Sequence, residues 1–431
     1  MSVTTTTFLA DMKTIYGMIK DQVSTEAAFM NLLDDGTKFA KKRNDLGVRG
    51  YTFLARLRPN FNMGFRPESD TVGVGSAGHQ GLGNSTVTLK YGYVPETITG
   101  QAENLSKGEA KAFMQAKALE VSYSTKDMVS HMNVLCVGAD RGGQLASVAA
   151  SPAAGAGTFY ADNASGFAGA IYLRVGMPID TYTVGGEASP AVTASVITAI
   201  NYATRLVTHT TGTADSADAV TLGGESCTTG NYPTTMEGLI SLVSDSGSIQ
   251  GLNPSSSGEE SWASYMEDAA GDDLTATMMH QLRSFVKNRS GATPDMFYFP
   301  SAQISRLVKF ATQNYRFETN SPKKIGKKAL SLGFDVFDYA GLPIIEDKDA
   351  RPDRIFCGAS EAMLKFEAMP LGLADDEAGA WTRLIATTGV VDAVVGLLRT
   401  YINLGVLQRA AWGCIKNLSV ESKYLDQPQT I

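Results

Sequence analysis

The sequence predicts an α+β fold that carries a small inserted β-domain, and three observations predict it. A capped helix of unusual length starts near residue 107. Residues 151–235 shift to a Thr-, Ala-, Gly- and Ser-rich composition with alternating apolar positions. From GFDVFDYAGLPIIE onward the chain reads mostly as strands. A chain of 431 residues with 43% hydrophobic content can bury a large core, and its length suggests two or three domains. No apolar run approaches the ~20 residues of a membrane helix. The start MSVTTTTFLADMK lacks a basic-then-apolar signal pattern, so the expected site of synthesis is a cytoplasm. Cys136, Cys227, Cys357 and Cys414 have no CxxC spacing and read as reduced, buried thiols.

Element by element, Leu9, Met12, Tyr16, Ile19 and Val23 stand at helical spacing, giving an amphipathic helix or arm. A basic stretch follows, with Lys38, Lys41, Lys42, Arg43, Arg49, Arg56, Arg58 and Arg66 against the single acid Asp45. YTFLARL (51–57) reads as an outgoing strand and VTLKYGYV (87–94) as its return, with a flexible glycine-rich tip, DTVGVGSAGHQGLGN (70–84), between them. Within the tip GVGSAG has dinucleotide-loop spacing, but no strand leads into it and no helix starts on it, so no cofactor is expected. Ser106 and Glu109 form a capping box for a helix from Lys107 to about Val137, about 45 Å long, that lies across a sheet and ends at Gly138. Residues 151–235 read as a separable all-β insertion. Asp272 or Asp273 is expected to cap a helix carrying Leu274, Met278, Leu282, Phe285 and Val286, with Lys287 and Arg289 favourably placed at its end. DMFYFP then reads as a buried strand, and Ser301 opens a helix with Ile304, Leu307, Val308, Ala311 and Tyr315 on one stripe.

Catalytic chemistry finds little support. His79, His131, His209 and His280 lack metal-ligand spacing, so no metal site is expected, and His131 reads as a partly buried packing residue. Carboxylate pairs fall in polar loops rather than in a desolvated cleft, and no GxSxG or P-loop occurs. PKKIGKK (322–328) reads as a solvated loop, a subunit contact or a phosphate contact. Net charge is −7, and no Lys or Arg occurs from Leu206 to Leu282, where Glu259, Glu260, Glu267, Asp268, Asp272 and Asp273 lie. This segregation is compatible with two solvated surfaces, or with copies of the chain meeting basic arm to acidic face.

The order of parts resembles the major capsid proteins of tailed bacteriophages, a fold shared with encapsulins. VTLKYGYVPETITGQAENL before the long helix, LCVGADRGGQLASV after it, MEGLISLVSD, TPDMFYFPSAQISRLVKFA and RTYINLGVLQRAAWGCIKNL carry the likeness over nearly the whole chain. The resemblance implies an N-terminal arm (1–50), an extended loop hairpin (51–99), a peripheral domain with a spine helix (100–150), the inserted β-domain on the outer face (151–235), an axial domain (236–355) and peripheral closing strands (356–431). It also implies a non-enzymatic protein, without cofactor or metal, whose hexamers and pentamers close an icosahedral shell around packaged double-stranded DNA. Its implied partners are further copies of itself, a separate scaffolding protein, a portal at one vertex, a decoration protein and the DNA backbone, with no membrane. The implied location is the virion capsid, assembled in a bacterial host cytoplasm. The extended loop would reach a neighbouring subunit through Arg58, Phe61, Arg66, Glu68, Gly73, Gly75 and Gly78, and the basic arm through Lys38, Lys41, Lys42, Arg43 and Arg49. Asn60 to Lys90 contains no lysine before Lys90 itself, so the expected shell is held without covalent crosslinks. The alternative is an encapsulin-like nanocompartment shell; a Thr/Gly/Ser-rich fibre does not suit the long helix and mixed core.

Overall fold

The computed structural model describes residues 27–34, 40–43, 50–61, 78–101, 110–140, 142–149, 156–162, 169–183, 190–225, 235–314, 337–374, 381–386 and 389–425. In chain order, α1 (Ala28–Asp34) and β1 (Ala40–Arg43) precede the hairpin of β2 (Gly50–Arg58) and β3 (Gly81–Thr88). Next come β4 (Lys90–Thr99) and the long helix α2 (Ala110–Val137). A run of strands follows: β5 (Ala146–Ser147), β6 (Thr158–Tyr160), β7 (Pro178–Tyr182), β8 (Val192–Asn201), β9 (Leu206–His209) and β10 (Ala219–Leu222). After them lie α3 (Leu239–Leu242), β11 (Tyr265–Asp268), α4 (Ala276–Ser290), β12 (Met296–Pro300) and α5 (Ser301–Asn314). The chain closes with β13 (Phe337–Tyr339), β14 (Leu342–Asp347), β15 (Ile355–Gly358), β16 (Met363–Leu373), β17 (Trp381–Ala386), β18 (Gly389–Val406) and β19 (Trp412–Lys416).

The long helix is present as expected, at 28 residues and therefore about 42 Å. It lies against β4, β16 and β18. The capping box Ser106/Glu109 and the Leu9–Val23 helix lie outside the described residues. Strand β18 runs for 18 residues, taking β16 and β17 along one side and β4 along the other, with β1 parallel to β16 at the edge.

The six-stranded sheet β11-β19-β15-β12-β14-β13 is covered on both faces. On β12, Met296 and Tyr298 point into the core shared with α2, whereas Phe297 and Phe299 meet Met279, Leu282 and Val286 of α4 and Ile304 of α5. Double coverage explains why MFYFP reads as an uninterrupted apolar run. Strands β15 and β19 belong to this sheet, so a division at 355/356 cuts through it: β15 pairs antiparallel with both β12 and β19. Strand order along the chain does not reveal these pairings between segments about sixty residues apart.

Two local expectations are corrected. Helix α4 is capped by Thr275, whose hydroxyl accepts from Met278 N at 3.2 Å, not by Asp272 or Asp273. Asp272 is held by the C-terminal segment, its carbonyl accepting from Ser419 N, while Asp273 pairs with Arg306. At its other end α4 stops on Gly291 at φ 72°, a left-handed cap that glycine adopts without strain. The returning strand of the hairpin is Gly81–Thr88, so Gly81 to Asn84, read as part of the tip, are strand; VTLKYGYV is divided between β3 and β4.

The strands β5-β10-β7-β8-β9-β6 form one sheet, which starts at Ala146, ahead of the boundary at 151. Its buried Phe159, Ile171, Leu173, Val192, Ile197 and Val207 belong to the same hydrophobic cluster as Met132, Val134 and Val137 of α2. Among the described residues, the sheet thus shares its hydrophobic cluster with the helix. Where the chain leaves α2, Gly138 sits so close to Tyr172 that a Cβ there would lie 2.5 Å from the phenol oxygen.

Candidate functional site

The β2–β3 hairpin concentrates exposed apolar residues. In its register Leu54 faces Asn84 and Arg56 faces Leu82, with an irregularity before Arg58. Alternation sends Phe53, Ala55, Leu57, Ser85 and Val87 toward the body and leaves the other face open. On that face Leu54 is 68% and Leu82 60% exposed, flanked by the exposed Arg56 and Arg58, and Phe61 beyond is 70% exposed. Large aliphatic side chains at such exposure on one face of a sheet form an open apolar surface.

The hairpin is anchored along its inner face. Thr86 N donates to Gln250 O at 2.9 Å and Ser261 Oγ to Leu57 O at 2.6 Å. With its amide nitrogen toward Ser85, Gln250 donates to Ser85 Oγ at 3.0 Å and Val406 O at 2.9 Å, and accepts from Val406 N at 2.8 Å. At Gly83 the strand passes close to the body: a Cβ would lie 2.6 Å from Leu57 Cδ1 and 2.8 Å from Leu252 Cδ2 and would have to push these methyls aside. Toward the tip Asn60 Nδ2 donates to Gly78 O at 3.0 Å.

Of the loop residues singled out from sequence, Arg58, Phe61 and Gly78 thus lie on or beside the hairpin. Arg66, Glu68, Gly73 and Gly75 lie outside the described residues. Of the basic arm, Lys41, Lys42 and Arg43 are in β1, in register with Lys365, Phe366 and Glu367; Lys38 and Arg49 lie outside the described residues. The acids are largely occupied locally. Glu259 accepts from Asn253 N at 2.7 Å, and Asp268 accepts from Ala270 N at 2.9 Å and from Asn417. The Glu260 carboxyl is held below its ordinary value, chiefly by Gly258 N–H, with Arg58 of the hairpin adding attraction.

Sequence reasoning missed a second exposed feature. Tyr91 and Tyr93 of β4 meet the Tyr401 ring edge-on at 4.9 and 6.2 Å, and Arg399 lies opposite Tyr93. The alternation in KYGYV, with its two tyrosines on one side, was the available signal. His131 is more than a packing residue: its Nε2 is 2.8 Å from Glu225 Oε1. Burial disfavours the imidazolium, but Glu225 outweighs burial and raises the pKa. Burial also pushes the Cys136, Cys357 and Cys414 thiols up to about 12, leaving them unreactive. Among the described residues no group of three or more His, Cys, Asp or Glu could hold a metal, and no helix is long and apolar enough to cross a membrane.

A family model described as SU10 major capsid protein matches residues 181–419, more than half of the chain. The chain belongs to this family. It is similar in fold to the capsid asymmetric unit of cyanophage A-1(L), with 10% identity over 94% of this chain and 95% of the other and a TM-score of 0.50. The capsid of a native GTA particle aligns over 94% of both chains at 9% identity with a TM-score of 0.46. No curated protein matches it. The protein is accordingly a shell-forming capsid protein with the tailed-phage major capsid fold.

Proposed function

We propose that copies of this chain assemble as hexamers and pentamers into an icosahedral shell around packaged double-stranded DNA, with the β2–β3 hairpin covering part of a neighbouring subunit. The family match carries the shell-forming role. The open face of Leu54 and Leu82 supports the contact, since burying the two leucines between copies would contribute about 1.5–3 kcal/mol for each full burial. Arg56 and Arg58 beside them would tune pairing and its salt dependence rather than supply most of the affinity. In this reading function is mechanical, with no catalytic residue. Proposed partners beyond the chain itself are a separate scaffolding protein, a portal at one vertex, a decoration protein and the DNA backbone, and the proposed assembly site is the host cytoplasm. The family match favours a virion over a nanocompartment.

Negative-stain microscopy and gradient sedimentation of purified protein, with and without a scaffolding partner, test the reading. Closed particles or capsomers are expected; a monomer under all conditions would refute it.

A further inference from the structure

A densely connected buried polar group lies away from the hairpin, where α1, α2, β12 and the β14–β15 turn meet. Asn133, Asp347 and Asp349 are all buried there, at 0%, 2% and 0% exposure. Asn133 Oδ1 accepts from Phe29 N and Met30 N, both at 3.1 Å. Its Nδ2 donates to Asp347 Oδ2 at 3.0 Å and to Asp349 Oδ2 at 2.8 Å. Asp347 in turn accepts from Phe29 N at 3.3 Å, from Asp349 N at 2.8 Å and from the Tyr298 hydroxyl. One amide on α2 therefore holds the start of α1 with its oxygen and two carboxylates with its nitrogen. Phe29 completes the contact, packing edge-on against Tyr298 at 5.3 Å.

We propose that Asp347 and Asp349, sharing the Asn133 amide, form a pH-sensitive clasp that holds α1 against α2 and loosens as pH rises. Asp349 sits in a dry site beside a second carboxyl, where its ionisation is costly. Burial pushes the Asp349 carboxyl up to about 6; Lys348, 2.8 Å away, opposes that, and Asp347 adds repulsion. The surrounding groups come from every packed element. On the same turn Arg351 is engaged by Asp353 at 2.9 Å and reaches Asp140 at 3.5 Å. From the β5–β10 region Tyr172 donates to the Asp349 carbonyl, and Arg174 adds a positive charge nearby. Tyr298 and the Cys136 thiol are held neutral by burial, and Lys365 is paired with Glu367 at 2.9 Å.

The sign follows from Asp349. Its folded pKa lies above the ordinary carboxylate value of about 3.9, so its contribution is complete below about pH 4. That contribution is lost as pH climbs to about 6, and beyond it changes no further. Ionised Asp349 places a buried negative charge beside the Asp347 carboxyl, and undocking α1 admits water to both. The clasp thereby sets how firmly α1 is docked on α2, and it does so whether or not the shell-forming contacts are those proposed above.

Hydrogen exchange by mass spectrometry on the full chain tests it, following peptides over 27–34 from pH 4 to 7.5 with intrinsic rates corrected. The opening equilibrium of α1 should rise by about tenfold per pH unit between about 4 and 6 and then level off. Asp349→Asn, which keeps an oxygen for Asn133, should flatten the profile. Asp353→Asn, on the same turn but without a bond to Asn133, should keep it. A flat wild-type profile, an unchanged slope in D349N, or a slope lost equally in D353N would each overturn the clasp.

Discussion

The β2–β3 hairpin and the β5–β10 sheet both read from sequence as additions to a central body, yet they relate to it in opposite ways. The hairpin touches the body along one face and leaves Leu54 and Leu82 open on the other. The sheet fills its interior jointly with α2, through Phe159, Ile171, Leu173 and Val207, and adds two polar ties. Tyr172 OH donates to Asp349 O at 3.0 Å, and His131 meets Glu225 at 2.8 Å. A shift in composition here marks a change of local structure in a sheet whose apolar face its own chain already covers. What separates a surface built for its own chain from one built for another is whether its apolar face is already covered.

Predictions that would break this contrast run from large to small effects on the stability of the unassembled protein. Phe159→Ala should cost about 3–5 kcal/mol in denaturant unfolding, because the ring is fully buried in a cluster shared with α2. A loss confined to the sheet, with α2 unaffected by hydrogen exchange, would mean that the two do fold separately. Tyr172→Phe should cost about 1–3 kcal/mol by stranding the buried Asp349 carbonyl.

A weaker, pH-dependent effect is expected at His209, whose pKa burial lowers although Thr211 O opposes it. The sheet should then have its full His209 contribution above the ordinary histidine value of about 6.5 and lose it as pH falls further. Thermal unfolding of His209→Gln should show a shallower decline below pH 6.5 than the wild type.

The smallest effect on the subunit belongs to the hairpin. Leu54→Asp with Leu82→Asp should change monomer stability by less than about 0.5 kcal/mol, since both side chains already face solvent. Particle yield by sedimentation should nevertheless collapse. Normal particles from that double variant would show that this face is not an interface.

The sequence by itself determined the elements whose signals are local. The existence of α4 and α5 and the apolar run of β12 needed only the dozen or so residues around them, because helix and strand periods are short-range properties, although Phe285 of the expected α4 stripe is exposed and Met279 is buried in its place. The cap of α4 shows the limit even there: Asp272, Asp273 and Thr275 stand close together in sequence, yet Asp273 pairs with Arg306 and Thr275 makes the cap. Only the tertiary structure decided that β15 and β19 join β12 in one sheet, and that β3 begins inside the glycine-rich stretch. The same holds for the face on which Leu54 and Leu82 stay uncovered. The Asn133 clasp is the extreme case, since it joins Phe29 to Asp347 across more than three hundred residues. Pairing partners and the satisfaction of buried polar groups depend on which distant segments the packed core brings together, and no local pattern records that.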